Sequence, residues 1–505
     1  MTMISLAGSR LLDRIGASRA GPISPPRVDE ATRRQGAAVV LPMAGAVVSG
    51  ANGVSTYADP RSSSAASRGI GHVWASPALA NDAISIRMAA NRAGSIYSLG
   101  DQWRGLGGAL LKRFGETGEN YAQTRVDDST APDELAGLAP ELRAQRAADI
   151  VAAQSAALAS VADNGAVATF NVRLQSGLSV ELGITVSQGF DGLVGTQVSL
   201  ESSGAMSVND RKAVQKLAEG LDRALEGLGQ DDVASIDLSG LADYDRTAID
   251  SLDLTVDTHR THETQRPLES FALHLGGDRS SVTLEGAEGE MHLSVGTQAP
   301  PVQATASQRQ ASLRGVLDRI AAAGQHGQAN AALVEQMKSA FMQLQAAAAA
   351  HVPAQSSAQV AGDAAASGLA DFDAGFGGPT WRLNAAGTAR LGGQVSYRLN
   401  QQTVVTNQSQ GGQSTRQTLS EELSADYRES LDGGMLDVDT GNYSSTRVRD
   451  ASTVTTLIDS AAGRVKRAQR MVQEQQLKTV AELRHHQVTS ERSWPAQRRV
   501  LERLA

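Results

Sequence analysis

Alternation of apolar and polar residues dominates the middle of the chain. Phe170, Val172 and Leu174 alternate with polar neighbours, and the segment "LSVELGITV" alternates from Leu178 to Val186. A third run, "VGTQVSL", follows the turn-forming segment "QGFDG". Because successive side chains of a strand point to opposite faces, this pattern predicts a meander of half-buried antiparallel strands.

The period changes to that of a helix at Ser207. Apolar residues then recur every three or four positions, at Val214, Leu217, Leu221, Leu225 and Leu228. This spacing predicts an amphipathic helix over 207–228, with Ser207 as its N-cap. The later segments "SLDLTVD", "FALHL" and "MHLSVG" alternate again. We therefore expect an α+β domain over 164–297, with the helix packed on an antiparallel sheet.

The rest of the chain divides by composition and periodicity. We expect a disordered leader over 1–75, a helical segment over 76–163, a helical hairpin over 307–351, a linker over 352–370, a β-rich module over 378–458 and a basic helical tail over 460–505. The predicted fold class is α+β, with small antiparallel sheets and packed helices. Several modules of this kind would be joined by long disordered segments.

The order of segments in the middle of the chain resembles a family of uncharacterised proteobacterial proteins. The resemblance covers roughly residues 165–345, from "SVNDRKAVQKLAEGLDRALEGLG" through "SVTLEGAEGEMHLSVG" to "MKSAFMQL". It implies no particular activity and carries over no catalytic residues. Some members of the family are labelled as lactate dehydrogenases, an activity that would require a dinucleotide site.

The glycine fingerprint of a dinucleotide site is incomplete in this sequence. The segment "GLGGAL" supplies Gly105, Gly107 and Gly108, but Leu110 stands where the third glycine of the fingerprint belongs. The segment also follows no clear strand. We interpret these glycines as a flexible turn between helices, and we predict no cofactor.

Composition excludes several kinds of site and partner. The chain contains no cysteine, so disulfides, thiolate zinc sites and cysteine nucleophiles are absent. The net charge of −8 argues against nucleic acid as the main partner of the whole chain. Residues 464–505, however, carry ten Lys or Arg against four Glu. We expect this basic tail to contact an acidic surface, and we expect a protein partner.

Two groups of residues are candidate metal ligands, although our interpretation is that neither binds metal. His259 and His262 lie three positions apart, a spacing at which two side chains can share a metal in a loop but not on one strand. Asp437 and Asp439 lie between glycines and resemble part of a calcium loop, but no Glu closes that loop. Solvated histidines and an acidic turn are the simpler interpretations, and the sequence indicates no catalytic residue.

The paired Arg33 and Arg34 precede an apolar run and resemble a twin-arginine export signal, although Pro42 and Gly45 interrupt that run. We therefore favour a cytoplasmic protein over an exported one. The function indicated by the sequence is that of a non-enzymatic bacterial binding or structural protein. The alternatives are an exported hydrolase with an Asp/Glu/His site that no motif reveals, and a substrate of a type III or flagellar export system.

Overall fold

The alternating segments lie between the third and ninth positions, counted from one edge, of a 15-stranded antiparallel sheet. The structure is a computed structural model. It describes residues 71–77, 82–92, 98–128, 131–163, 165–188, 192–229, 236–258, 268–298, 304–350, 366–408, 412–461 and 464–503. The predicted antiparallel sheet is thus confirmed. The export-like pair Arg33 and Arg34 lies outside the described residues.

The first nine strands are short or of medium length, and most of the last six are long. The strands are β1 (His72–Trp74), β2 (Tyr121–Asp128), β3 (Gly165–Leu174), β4 (Ser179–Gln188), β5 (Leu193–Ser202), β6 (Ile249–Asp257), β7 (Ser270–Gly276), β8 (Arg279–Gly286), β9 (Gly289–Gly296), β10 (Phe372–Leu383), β11 (Ala389–Gln408), β12 (Gly412–Ser430), β13 (Tyr443–Ala461), β14 (Arg464–Arg484) and β15 (Gln487–Arg503). Their order in the sheet is β1-β2-β5-β4-β3-β6-β7-β8-β9-β10-β11-β12-β13-β14-β15.

The helices are inserted between strands. They are α1 (Ala83–Asn91), α2 (Leu99–Trp103), α3 (Leu106–Thr117), α4 (Ala131–Leu135), α5 (Pro140–Leu158), α6 (Val208–Lys216), α7 (Ala218–Leu228), α8 (Ser239–Ala242), α9 (Ala306–Gly327) and α10 (Ala331–Ala350). None of these helices is long and apolar enough to cross a membrane.

Helix ends coincide with capping residues in the sequence. The Ser207 side chain accepts a hydrogen bond from the backbone N–H of Asp210 and begins α6. Leu217, which is buried, then separates α6 from α7, so the helix expected over 207–228 consists of two consecutive helices. Thr305 and Gln308 form a reciprocal capping box that begins α9.

One hydrophobic core joins the two halves of the sheet. Strand β9 pairs with β10, and Phe372 lies opposite Val295 in this pairing. A single cluster of buried apolar residues extends from Ile84 to Val448. The expectation of several small sheets is wrong, because all the described strands belong to one sheet. The helices α9 and α10 are an insertion between two neighbouring strands, and they pack on the sheet that those strands continue.

Several predicted segments contain elements of another kind. The leader predicted over 1–75 contains β1, and the helical segment predicted over 76–163 contains β2, which pairs with both β1 and β5. The linker predicted over 352–370 ends in packed residues, because Ala366, Leu369 and Ala370 are buried. The basic tail predicted as a helix over 460–505 forms strands β14 and β15.

Candidate functional site

Only one of the two pairs of candidate metal ligands lies within the described residues. His259 and His262 lie outside the described residues. Asp437 and Asp439 lie in the exposed turn between β12 and β13, where an Asp437 carboxylate oxygen accepts the backbone N–H of Asp439 at 3.0 Å. This local bond is typical of a turn. Within the part of the chain that the structure describes, no group of three or more acidic or histidine side chains is placed to hold a metal.

The glycines of "GLGGAL" have a packing role. Gly105 is the N-cap of α3 and adopts a left-handed φ of 67°. Gly107 and Gly108 lie against α7, where a Cβ atom on Gly108 would collide with the Asp222 carboxylate. That carboxylate accepts the backbone N–H of Gly108 at 2.7 Å. The start of α3 is therefore bound to a carboxylate of the same chain, at the position where a nucleotide phosphate would need to approach.

A polar cleft lies between α9 and the face formed by strands β11–β14. Arg319 of α9 contacts Glu421 of β12, with Nη1 2.5 Å from Oε2. The Tyr397 hydroxyl donates to the other oxygen of Glu421 at 3.1 Å. Burial, together with the charge of Glu421, raises the pKa of Tyr397. Further along α9, His326 Nδ1 lies 2.7 Å from Asp450 Oδ2.

This cleft contains two cavities on either side of Arg319, of about 420 Å³ and about 280 Å³. Acidic side chains and a histidine converge here, as the hydrolase alternative requires. Each of the acids is nevertheless engaged. Glu421 pairs with Arg319, Asp450 with His326, and Glu474 lies 3.9 Å from Arg498. The first two pairs connect α9 to the sheet and the third connects β14 to β15, so the geometry favours a structural role for them.

The last strand of the sheet, β15, forms a long exposed edge. Strand β15 spans 17 residues, pairs with β14 on one side and has no paired strand on the other among the described residues. Its residues are exposed or half-buried along the whole length, and Val488, Trp494 and Leu501 are each more than half exposed. The opposite edge of the sheet, β1, is three residues long.

Local contacts fix the hairpin that carries this edge. The turn between β14 and β15 consists of His485 and His486, both with positive φ, as in the tight turns that suit hairpin twist. The His485 N–H donates to the side-chain oxygen of Asn442 at 3.0 Å. His486 Nε2 lies 3.0 Å from the backbone oxygen of Asp439. The acidic turn that the sequence offered as a calcium loop thus supports the β14–β15 hairpin.

No family model, curated protein or solved structure matches this chain. The resemblance over residues 165–345 therefore remains a prediction. The exposed edge at β15, whose position no sequence motif indicated, is the feature on which a function can be argued.

Proposed function

We propose that this chain is a non-enzymatic structural protein that assembles by adding a strand to the open edge of β15. The observation that supports this proposal is the length and exposure of that edge. An open edge presents a row of unpaired N–H and C=O groups, and folded proteins usually shorten or cover such edges. Main-chain hydrogen bonds to an added strand satisfy these groups and supply the affinity of strand addition.

The composition of β15 limits which strands can be added. Pro495 has no amide hydrogen, which removes one donor, and Arg498, Arg499 and Arg503 place positive charge on the strand. Both features protect an edge against unselective pairing with other strands. An added strand that places acidic residues opposite arginines of β15 is therefore favoured over one that places basic residues there.

In-cell photo-crosslinking tests the proposal. A benzophenone amino acid is placed at Gln497 of β15 or at Gln475, its directly opposed neighbour on β14. Both positions are exposed, but only 497 lies on the edge strand. We expect illumination of cells that express the full chain to give a defined adduct from 497 that 475 does not give. No adduct from 497, or the same adducts from both positions, would contradict the proposal.

A further inference from the structure

The sequence of β15 is complementary to itself, and this identifies a specific partner strand. We propose that the strand added at β15 is β15 of a second copy of this chain, running antiparallel with Gln497 on the two-fold axis. This inference rests on the proposed function. It adds the identity of the partner and the register of the pairing.

The backbone of β15 restricts the possible registers. Pro495 lies opposite Leu477 of β14 but has no N–H to donate to it, so the backbone groups at position 495 belong to the set that faces the open side. Because N–H direction alternates along a strand, the odd-numbered positions around Pro495 share this orientation. In an antiparallel pair of two such edges, odd positions must face odd positions. Only every second register between the two copies is therefore allowed.

In one allowed register, wherever two charged residues face each other, their charges are opposite. With Gln497 facing Gln497, Glu491 faces Arg503 of the second copy and Arg492 faces Glu502. The two-fold axis generates each of these pairs twice. Directly opposed residues of unlike charge stabilise an antiparallel pair, and residues of like charge destabilise it. No residues of like charge face each other in this register.

The neighbouring allowed registers lose this complementarity. A shift in one direction places Arg498 opposite Arg498 on the axis, which is repulsive. The shift in the other direction places Glu491 opposite Leu501 and Arg492 opposite Val500, so the favourable charge pairs disappear. The charges thus select the register centred on Gln497 from its neighbours.

The exposed apolar side chains also find partners in the selected register. Trp494, which is 51% exposed, faces Val500 of the second copy. This position belongs to the set whose side chains approach most closely in an antiparallel ladder. An aromatic side chain opposite a β-branched one is a favourable cross-strand pair. Pro495 faces Arg499, so the two-fold pairing lacks one hydrogen bond on each side of the axis and retains those of the other odd positions.

Disulfide trapping in the purified full chain tests the register. The chain has no cysteine, so Gln497→Cys introduces a single thiol. In the proposed dimer the two Cα atoms at position 497 lie about 5.5 Å apart, within the range of about 4.4–6.8 Å that a disulfide spans. Gln475→Cys is the matched control, because its two copies lie about 15 Å apart across three strand spacings. We expect mild oxidation to convert most Q497C, but not Q475C, into a covalent dimer.

Charge exchange provides a second test that does not depend on cysteine. Glu502→Arg faces Arg492 of the second copy with a like charge, so we expect the dimer dissociation constant to rise about tenfold in sedimentation experiments. The double variant R492E/E502R restores opposite charges and should return the constant to within about threefold of the original. Glu482→Arg, on the exposed face of β14, should leave it unchanged.

The outcomes separate this inference from the proposed function. Equal cross-linking of Q497C and Q475C, no cross-linking of Q497C, or no rescue by R492E/E502R would overturn the paired β15 strands. If Gln497 still gives its own photo-adduct in cells, strand addition at β15 stands with a different partner. If that adduct is also missing, strand addition itself fails.

Discussion

At the scale of single residues, Asp82 connects the start of α1 to strand β2. Its carboxylate accepts hydrogen bonds from the backbone N–H of Ser85 at 2.9 Å and from the Tyr121 hydroxyl at 2.5 Å. Burial alone would raise the pKa of Asp82, but the hydrogen bonds from Ser85, Tyr121 and the backbone outweigh burial and lower it. Burial, together with the hydrogen bond to Asp82, raises the pKa of Tyr121 to about 12.

Substitution of Asp82 should reduce stability in a pH-dependent way. Asp82→Ala removes the N-cap, and we expect a loss of about 1–2 kcal/mol in the free energy of unfolding at neutral pH. Asp82→Asn retains a capping oxygen but carries no charge. Because the pKa is lowered in the folded state, the advantage of Asp over Asn is present above pH of about 4 and disappears as the pH falls through the folded value. Denaturant titrations at several pH values measure both effects, and a deficit of D82N that persists in acid would argue against this account.

The glycines at the start of α3 were recognisable in the sequence, but their contact partner and the open edge at β15 were not. The incomplete fingerprint at Gly105, Gly107 and Gly108 led to the prediction that these glycines form a turn between helices rather than a dinucleotide site. It did not reveal that Asp222, more than one hundred positions away, approaches Gly108. The open edge at β15 had no sequence signal either, because exposure of a strand depends on which strands lie beside it.

At the scale of elements, regular alternation gave reliable predictions and its absence misled. The strands around Phe170 lie where the period of two placed them, and β11 and β12 lie in the segment expected to be β-rich. Strand β14 lies in the segment predicted as helix, because apolar residues such as Val465, Val472 and Leu483 roughly follow one helical face. The stretch "QEQQLKTVAEL" within it also contains strong helix formers. Its turn is His485–His486 rather than the Asn-Gly that usually indicates a hairpin. Pairing with the long strand β13 outweighs the local helix propensity, and a single-sequence pattern cannot show this.

Two introduced cysteines can distinguish the β14–β15 hairpin from a helix. The Thr479 and Ser493 hydroxyls lie 3.0 Å apart across β14 and β15. A continuous helix would separate these residues by about 21 Å. We therefore expect T479C/S493C to form an intrachain disulfide under mild oxidation, visible as faster migration on a non-reducing gel. T479C/A496C, in which the residues are not opposed, is the control. Failure of the opposed pair to close would return the segment to the helical prediction.

At the scale of the whole molecule, the single core has a consequence that separate modules would not have. Phe341 of α10 is fully buried, and its ring contacts Phe372 of β10 edge to face with centroids 4.8 Å apart. Trp103, also fully buried, belongs to the same cluster but lies in α2, far away in the sequence. Because the sheet continues between these regions, loss of packing at Phe341 should be felt at Trp103.

Phe341→Ala should cost about 3–5 kcal/mol of stability, as expected for a large aromatic removed from a core. Fluorescence of Trp103, measured with the other tryptophans replaced by phenylalanine, should report the same lowered unfolding midpoint as the far-UV signal of the whole chain. Met342→Ala changes the neighbouring residue, whose side chain is 42% exposed, and should shift the midpoint by no more than about 0.5 kcal/mol. A Trp103 transition that stays in place while the far-UV transition moves would show that the two halves unfold independently, as the sequence-based division into modules implies.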